Sequence, residues 1–161
     1  ETLYQELLFD VLGKRATKRA MHLLEKQDRT EYQLREKLRQ NEYPKEAVEQ
    51  AIAYVKSYHY IDDLRYATTY ISYQQKKKSR QKLKMDLIAK GIEKSVIEQA
   101  LDEVFDSDEQ LKIRQLLEKK HYEPKECDRK EQQKIYQYLM RRGFKSSDIL
   151  HVMKIWDEYE E

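Results

Sequence analysis

Three stretches of the chain carry one apolar pattern. Leu38, Tyr43, Val48, Ala51, Ile52 and Val55 align with Leu87, Ile92, Ile97, Ala100, Leu101 and Val104 at an offset of 49 residues (87 − 38), and again with Leu139, Phe144, Ile149, Val152, Met153 and Trp156 after a further 52 (139 − 87). Four residues before each first leucine stand Leu34, Leu83 and Ile135. The spacings suit two amphipathic helices joined by a tight turn, and Gly91 and Gly143 fall in that turn, where a left-handed residue ends the first helix. The first copy has Asn41 and Glu42 there, so one of them is expected to carry the bend at a small strain cost. A repeat near fifty residues predicts tandem helical units, each close to the size at which a single core is marginal.

Composition agrees with a helical chain. Of 161 residues, 39% are charged and only three are glycine and two proline, too little punctuation for a strand-rich fold. The expected architecture is all-α: three tandem three-helix-bundle repeats in an elongated, curved array, preceded by a short N-terminal helix. In residue numbers this is an amphipathic helix over 1–13, ending at Gly13, then repeats over 14–61, 62–106 and 107–161. The apolar face of the first helix (Leu3, Tyr4, Leu7, Leu8, Val11, Leu12) either covers the open end of the first repeat or docks on a neighbouring chain.

Within the repeats, several start signals are legible. Thr30 with Gln33 reads as a capping box, Pro44 as the first residue of a helix with Tyr43 stapled behind it, and Asp62 and Asp63 as caps. Tyr66, Tyr70 and Tyr73 recur at core spacing along the next helix, which runs on into Lys76–Lys78; Ser79 caps the one after. The connection from His121 to Asp128, with Pro124, is expected to account for the larger second offset. An acidic tail of Asp157, Glu158, Glu160 and Glu161 frays at the end. The chain begins without a methionine, which points to trimming at the N-terminus.

Motifs for chemistry are missing. Gly13-Lys14 lacks the following Ser or Thr and the leading glycine of a phosphate loop, and His22, His59, His121 and His151 share no metal-ligand spacing with one another or with Cys127. The Asp62–Asp63 pair is read as a cap rather than a metal site. No catalytic, cofactor or metal residue is therefore assigned, and the chain is read as a non-enzyme. The single cysteine excludes an internal disulfide and fits a reducing cytoplasm, while the absence of long apolar runs argues against a signal peptide, a membrane span or a membrane partner.

Charge geometry remains. Net charge is only +2, yet six basic residues and no acid lie between positions 76 and 84: Lys76, Lys77, Lys78, Arg80, Lys82 and Lys84. Lys77, Arg80 and Lys84 follow a helical spacing that would align them on one face, away from Leu83 and Leu87. Such a stripe suits nucleic-acid phosphates or an acidic protein surface. A smaller set, Arg35, Lys37 and Arg39, occupies the matching helix of the first repeat, interrupted by Glu36.

The motifs RAMHLLEKQDRTEYQLREKLRQNEY, IDDLRYATTYISYQQ, SRQKLKMDLIAKGIEKSVIEQAL and QQKIYQYLMRRGF resemble the RecX family of RecA regulators. Asp63, Arg65, Tyr66, Ala67, Leu83, Leu87, Lys90, Gly91 and Ile92 are the most specific of them, and the resemblance covers about Arg15 to Trp156. It implies a cytoplasmic, non-enzymatic and mostly inhibitory modulator that binds the RecA–DNA filament and restrains its ATP hydrolysis and strand exchange, in recombination, DNA repair and the SOS response. The implied partners are the RecA filament and single- or double-stranded DNA, with the protein a monomer and no cofactor. Two alternatives stand beside it: a helix-turn-helix-like binder of duplex DNA, against which Glu46, Glu49, Glu93, Glu98 and Asp148 on the third helices argue, and a helical-repeat adaptor for another protein.

Overall fold

The computed structural model describes residues 2–158, with side chains described as far as Met153. Trp156 and the acidic residues 157, 158, 160 and 161 lie outside the described side chains. Among the described residues there are nine helices and no strand. The first repeat holds α1 (Thr2–Lys26), α2 (Glu31–Gln40) and α3 (Lys45–Ser57); the second α4 (Asp63–Gln74), α5 (Arg80–Ala89) and α6 (Lys94–Val104); the third α7 (Glu109–Lys119), α8 (Arg129–Arg141) and α9 (Ser146–Glu158). No described helix is long and apolar enough to cross a membrane.

The aligned apolar positions are the buried ones. Leu34, Leu38, Ala51 and Val55 are fully buried in the first repeat, as are Leu83, Leu87, Ile97 and Ala100 in the second and Leu139, Ile149 and Val152 in the third. Tyr43, Val104 and Ile135 are half-buried at the rim of the pattern. Each inner hairpin closes in the same way. Glu42, Gly91 and Gly143 take φ of 66°, 84° and 87°, and the N–H of the following residue returns to a carbonyl five residues back: Tyr43 to Leu38, Ile92 to Leu87, Phe144 to Leu139. This left-handed closure satisfies carbonyls that a helix end would otherwise leave unpaired. His59 and His121, also at positive φ, end α3 and α7 with the same bond, Tyr60 to Val55 and Tyr122 to Leu117.

The helices form two compact units, Glu1–Thr69 with Leu87–Gln99 and Tyr70–Asp86 with Ala100–Glu161. Each unit contains one junction between consecutive repeats, and the two junctions are built alike. In the first unit the buried Thr30 hydroxyl accepts from the Gln33 N–H and donates to the Lys90 carbonyl (2.7 Å), while the Asp63 carboxylate accepts from the Glu31 N–H (3.0 Å). In the second, the Ser79 hydroxyl accepts from the Lys82 N–H and donates to the Gly143 carbonyl (2.6 Å), and the Glu109 carboxylate accepts from the Arg80 N–H (2.8 Å). The helix start of one repeat thus receives a glycine turn and a carboxylate from the next. A methyl on Gly91 would strike Tyr32, and one on Gly143 would strike Lys82 and Ser79. The exposed Glu42 is in the first repeat, and glycine is present where another repeat must come close.

Several expectations change. No helix ends at Gly13: α1 runs through it without a break, and Gly13 is buried against α3 beside the flexible end of the Gln50 side chain. The glycine lies inside a helix rather than in a turn. The apolar face ahead of it does not cover the first repeat, since Leu3, Tyr4 and Leu7 are 70%, 71% and 59% exposed. Pro44 is the cap residue just before α3, and Asp63 caps α2 whereas Asp62 caps α4 through the Arg65 N–H (3.1 Å). Tyr73 is exposed, while Ala67 and Ile71 fill the core beside half-buried Tyr66 and Tyr70. The helix caps Thr30, Ser79 and Asp128 are each 49 residues apart, so the three extra residues of the second offset lie in α8, not in the connection before it.

Leu87→Ala is expected to cost about 2–5 kcal/mol in urea unfolding; an unchanged midpoint would remove Leu87 from the core. Gly143→Ala should cost about 1–3 kcal/mol, from its positive φ and the collision with α5. Glu42→Gly should raise stability by up to about 1 kcal/mol, because the positive φ is relieved at an exposed position.

Candidate functional site

The basic stretch is a turn followed by a helix start. α4 stops at Gln74, whose carbonyl accepts from the Lys77 and Lys78 N–H groups (3.0 and 3.1 Å), and α5 begins only at Arg80. Lys76 and Lys77 therefore stand exposed in the turn, and Lys77 does not share a helical face with Arg80 and Lys84 as its spacing suggests. The reason is Ser79. With its side chain committed to the Lys82 N–H and the Gly143 carbonyl, and its own N–H donated to the Arg142 carbonyl (3.2 Å), it sets the helix start there.

The cations of the stretch divide by partner. Asp86, two residues beyond the acid-free window, takes Lys78 Nζ at 2.7 Å and Lys82 Nζ at 3.1 Å, with the Tyr70 hydroxyl donating to the same carboxylate at 2.7 Å. Burial works against the Asp86 charge, but the hydrogen bonds from Lys78, Tyr70 and Lys82 outweigh it and hold its carboxyl below the usual range. For Lys78, burial is likewise opposed by the bonds to Asp86 and Tyr70, and its ammonium is held above its ordinary value. The Arg80 guanidinium lies over the Phe105 ring (5.8 Å), and Lys84 is engaged within the chain.

The smaller set in the first repeat is largely neutralised. Arg35 forms a two-pronged bond to Glu49 (3.1 and 3.2 Å) and lies 3.6 Å from Glu31; Arg39 pairs with Glu36 at 2.7 Å. Lys37 is half-buried on the same helix. Bidentate pairs of this kind fix α2 against α3 and leave little charge for a partner.

One cation escaped the sequence reading. Arg142, at the C-terminal cap of α8, donates to the Lys77 carbonyl (3.0 Å) and lies over the Tyr138 ring (4.5 Å to its centre), a ring that Lys120 also approaches at 4.3 Å. The signal that places it is the repeat itself: the first junction sets the turn around Gly91 on the start of α2, so the turn around Gly143 belongs on the start of α5. Lys76, Lys77 and Arg142 thus form a cationic surface in the second unit, backed by the Asp86-bound Lys78 and Lys82. In the same unit a cavity of about 340 Å³ is lined by Ser79, Arg80, Phe105, Glu109, Lys145 and Asp148, among others. Burial pushes the Glu109 carboxyl up, and burial pushes the Lys112 ammonium down where it sits over Phe105 (3.7 Å) and donates to the Asp106 carbonyl. Cys127 is half-buried with its thiol pushed up by burial, away from the reactive thiolate. Among the described residues no group of three or more His, Cys, Asp or Glu side chains could hold a metal ion.

Models of the first, second and third three-helix domains of RecX match residues 16–54, 62–101 and 107–153. The regulatory protein RecX of Clostridium acetobutylicum is 34% identical over 144 residues, 86% of this chain and 67% of that protein. That of Actinobacillus pleuropneumoniae serotype 5b is 35% identical over 136 residues, 84% and 88% of the two chains. The chain belongs to the RecX family of regulatory proteins. The crystal structure of RecX from Lactobacillus salivarius has a TM-score of 0.72 and 25% identity, over 92% of this chain and 99% of that one. Each RecX domain match falls within a different one of the three helical repeats, so Gly91 and Gly143 mark corresponding points of successive RecX domains.

The Asp86 cluster has a pH signature. Because the folded value of Asp86 lies below the unfolded value of about 3.9, its contribution to stability is complete above that pH and is lost as pH falls through the folded value. Asp63 and Glu109, both raised by burial, act in the opposite sense. They are common to wild type and Asp86→Asn, so the difference between the two isolates Asp86. Asp86→Asn should be less stable than wild type at pH 6 in urea unfolding, with the gap closing below pH 4; a gap that stays constant would contradict the pairing.

Proposed function

We propose that this chain regulates the RecA recombinase by binding the RecA–DNA filament and restraining its ATP hydrolysis and strand exchange, in recombination and DNA repair in the cytoplasm. It works by binding and carries out no reaction of its own. Membership in a family of regulatory proteins supports a regulatory role, and the basic turn gives that role a chemistry. The single observation that carries the reading is the exposure of Lys76 and Lys77 in a turn, beside the Arg142 guanidinium. Cations held at a helix break, with no acid one helical turn away, are available to an anionic partner. A RecA–DNA filament offers such partners in its phosphates and in acidic protein surface.

Adding the chain at substoichiometric amounts should slow DNA-dependent ATP hydrolysis by RecA, and Lys76→Glu with Lys77→Glu should relieve most of that inhibition while far-UV circular dichroism stays unchanged. A RecA rate that does not respond to the wild-type chain would overturn the proposal. Full inhibition by the folded double variant would move the binding surface away from the turn.

A further inference from the structure

Asp86 stands outside the pattern that the repeats share. Counting back 49 residues from Leu83 and Leu87 gives Leu34 and Leu38, apolar for apolar, but the same step from Asp86 gives Lys37. The scaffold does not need a carboxylate at this position, since the first repeat is built with a lysine there. In the second repeat, however, three donors converge on it. Lys78 Nζ and the Tyr70 hydroxyl reach Oδ2, both at 2.7 Å, Lys82 Nζ lies 3.1 Å from Oδ1, and Lys78 Nζ also donates to the Tyr70 oxygen at 2.9 Å. The Asp86 side chain is only 16% exposed, whereas those of Lys78 and Lys82 are 27% and 38% exposed. Two ammonium groups and a hydroxyl around one anionic group reproduce the donor set that a phosphate oxygen would attract.

We propose that Asp86 is an intramolecular competitor for the anion that the basic turn receives: it holds Lys78 and Lys82 in place of phosphates of single-stranded DNA and keeps the affinity of the turn low. The inference rests on the reading of that turn as a polyanion-binding surface. Both lysines carry stems long enough to swing their ammonium groups outward while the methylenes stay packed, so a polyanion can draw them off Asp86. Each exchange then costs one ion pair inside the protein. Lys76 and Lys77, exposed in the turn, engage first, and Lys78 and Lys82 follow only when the partner's charge density outcompetes the carboxylate.

The test is binding of a fluorescent oligothymidylate by anisotropy across a salt series. Asp86→Asn, which keeps the shape and the Tyr70 contact but loses the charge, should bind several-fold more tightly than wild type. Its slope of log K against log salt should steepen by about 1.4, two added contacts at about 0.7 each on a single strand. Asp102→Asn, which removes an exposed carboxylate elsewhere in the same unit, should leave that slope where it was. Lys78→Gln should cost more affinity in the Asp86→Asn background than in wild type, a comparison that holds even if the neutral variant is less stable. Wild-type binding with no gain in Asp86→Asn, or equal losses for Lys78→Gln in both backgrounds, would overturn the competitor role and leave the basic turn standing. No binding by either protein would overturn the competition with single-stranded DNA and leave acidic protein surface as the partner of the turn.

Discussion

A hydroxyl that works in two directions holds successive repeats together. Thr30 and Ser79 each accept the N–H three residues on, as any good helix cap does, and each donates its own proton to a carbonyl of the following repeat. Both are almost wholly buried, so neither half of the arrangement can be handed to water without leaving a polar group unpaired, at about 1–3 kcal/mol. The carboxylates of Asp63 and Glu109 complete the helix start by taking the next free N–H, and they favour its positive end. Glycine in the incoming turn follows from this closeness. A side chain at Gly91 or Gly143 would hold the turn too far off for the hydroxyl to reach.

Differences among the three copies follow from the same contact. The third cap, Asp128, is exposed and accepts the Glu131 N–H at 2.8 Å, but a carboxylate has no proton to pass to a further carbonyl. At the other end, Glu42 adopts the glycine conformation without being glycine. Thr30, Ser79, Gly91 and Gly143 carry the features needed to join repeats; Glu42 and Asp128 lack them.

Much of this was legible because period and turn chemistry are local. The leucine positions, the Thr30–Gln33 capping box, the Ser79 cap and the left-handed turn at Asn41-Glu42 all depend on neighbours within five residues, and the structure has them as read. Most of what escaped depends on distant residues, and one part on a neighbour just past the edge of a window. Gly13 has the composition of a helix end, and only its burial within α1 reveals it as a mid-helix residue. The acid-free window from 76 to 84 is real in sequence, but the Lys82–Asp86 pair is a one-turn helical contact that closes across its edge, and Lys78 joins it because the chain turns between them. Arg142 reaches the Lys77 carbonyl from 65 residues away, and nothing short of the junction geometry predicts that. The resemblance to RecX named the family, yet it could not say which of the nine basic residues remain available.

That availability is a matter of where the helices stop. In a chain with 39% charged residues, a cation on a helix has acids one turn away or on the neighbouring helix, and Arg35, Arg39 and Lys82 are all spent in this way. Lys76 and Lys77 lie where α4 has ended and α5 has not begun, so the i,i+4 geometry that would supply a counter-ion does not exist for them. Ser79 enforces that break, since its side chain must face both its own helix and the Gly143 turn. The bond that joins the second and third repeats therefore also exposes the basic turn. A change that let α4 and α5 fuse would remove the junction and draw the lysines onto a helix face together.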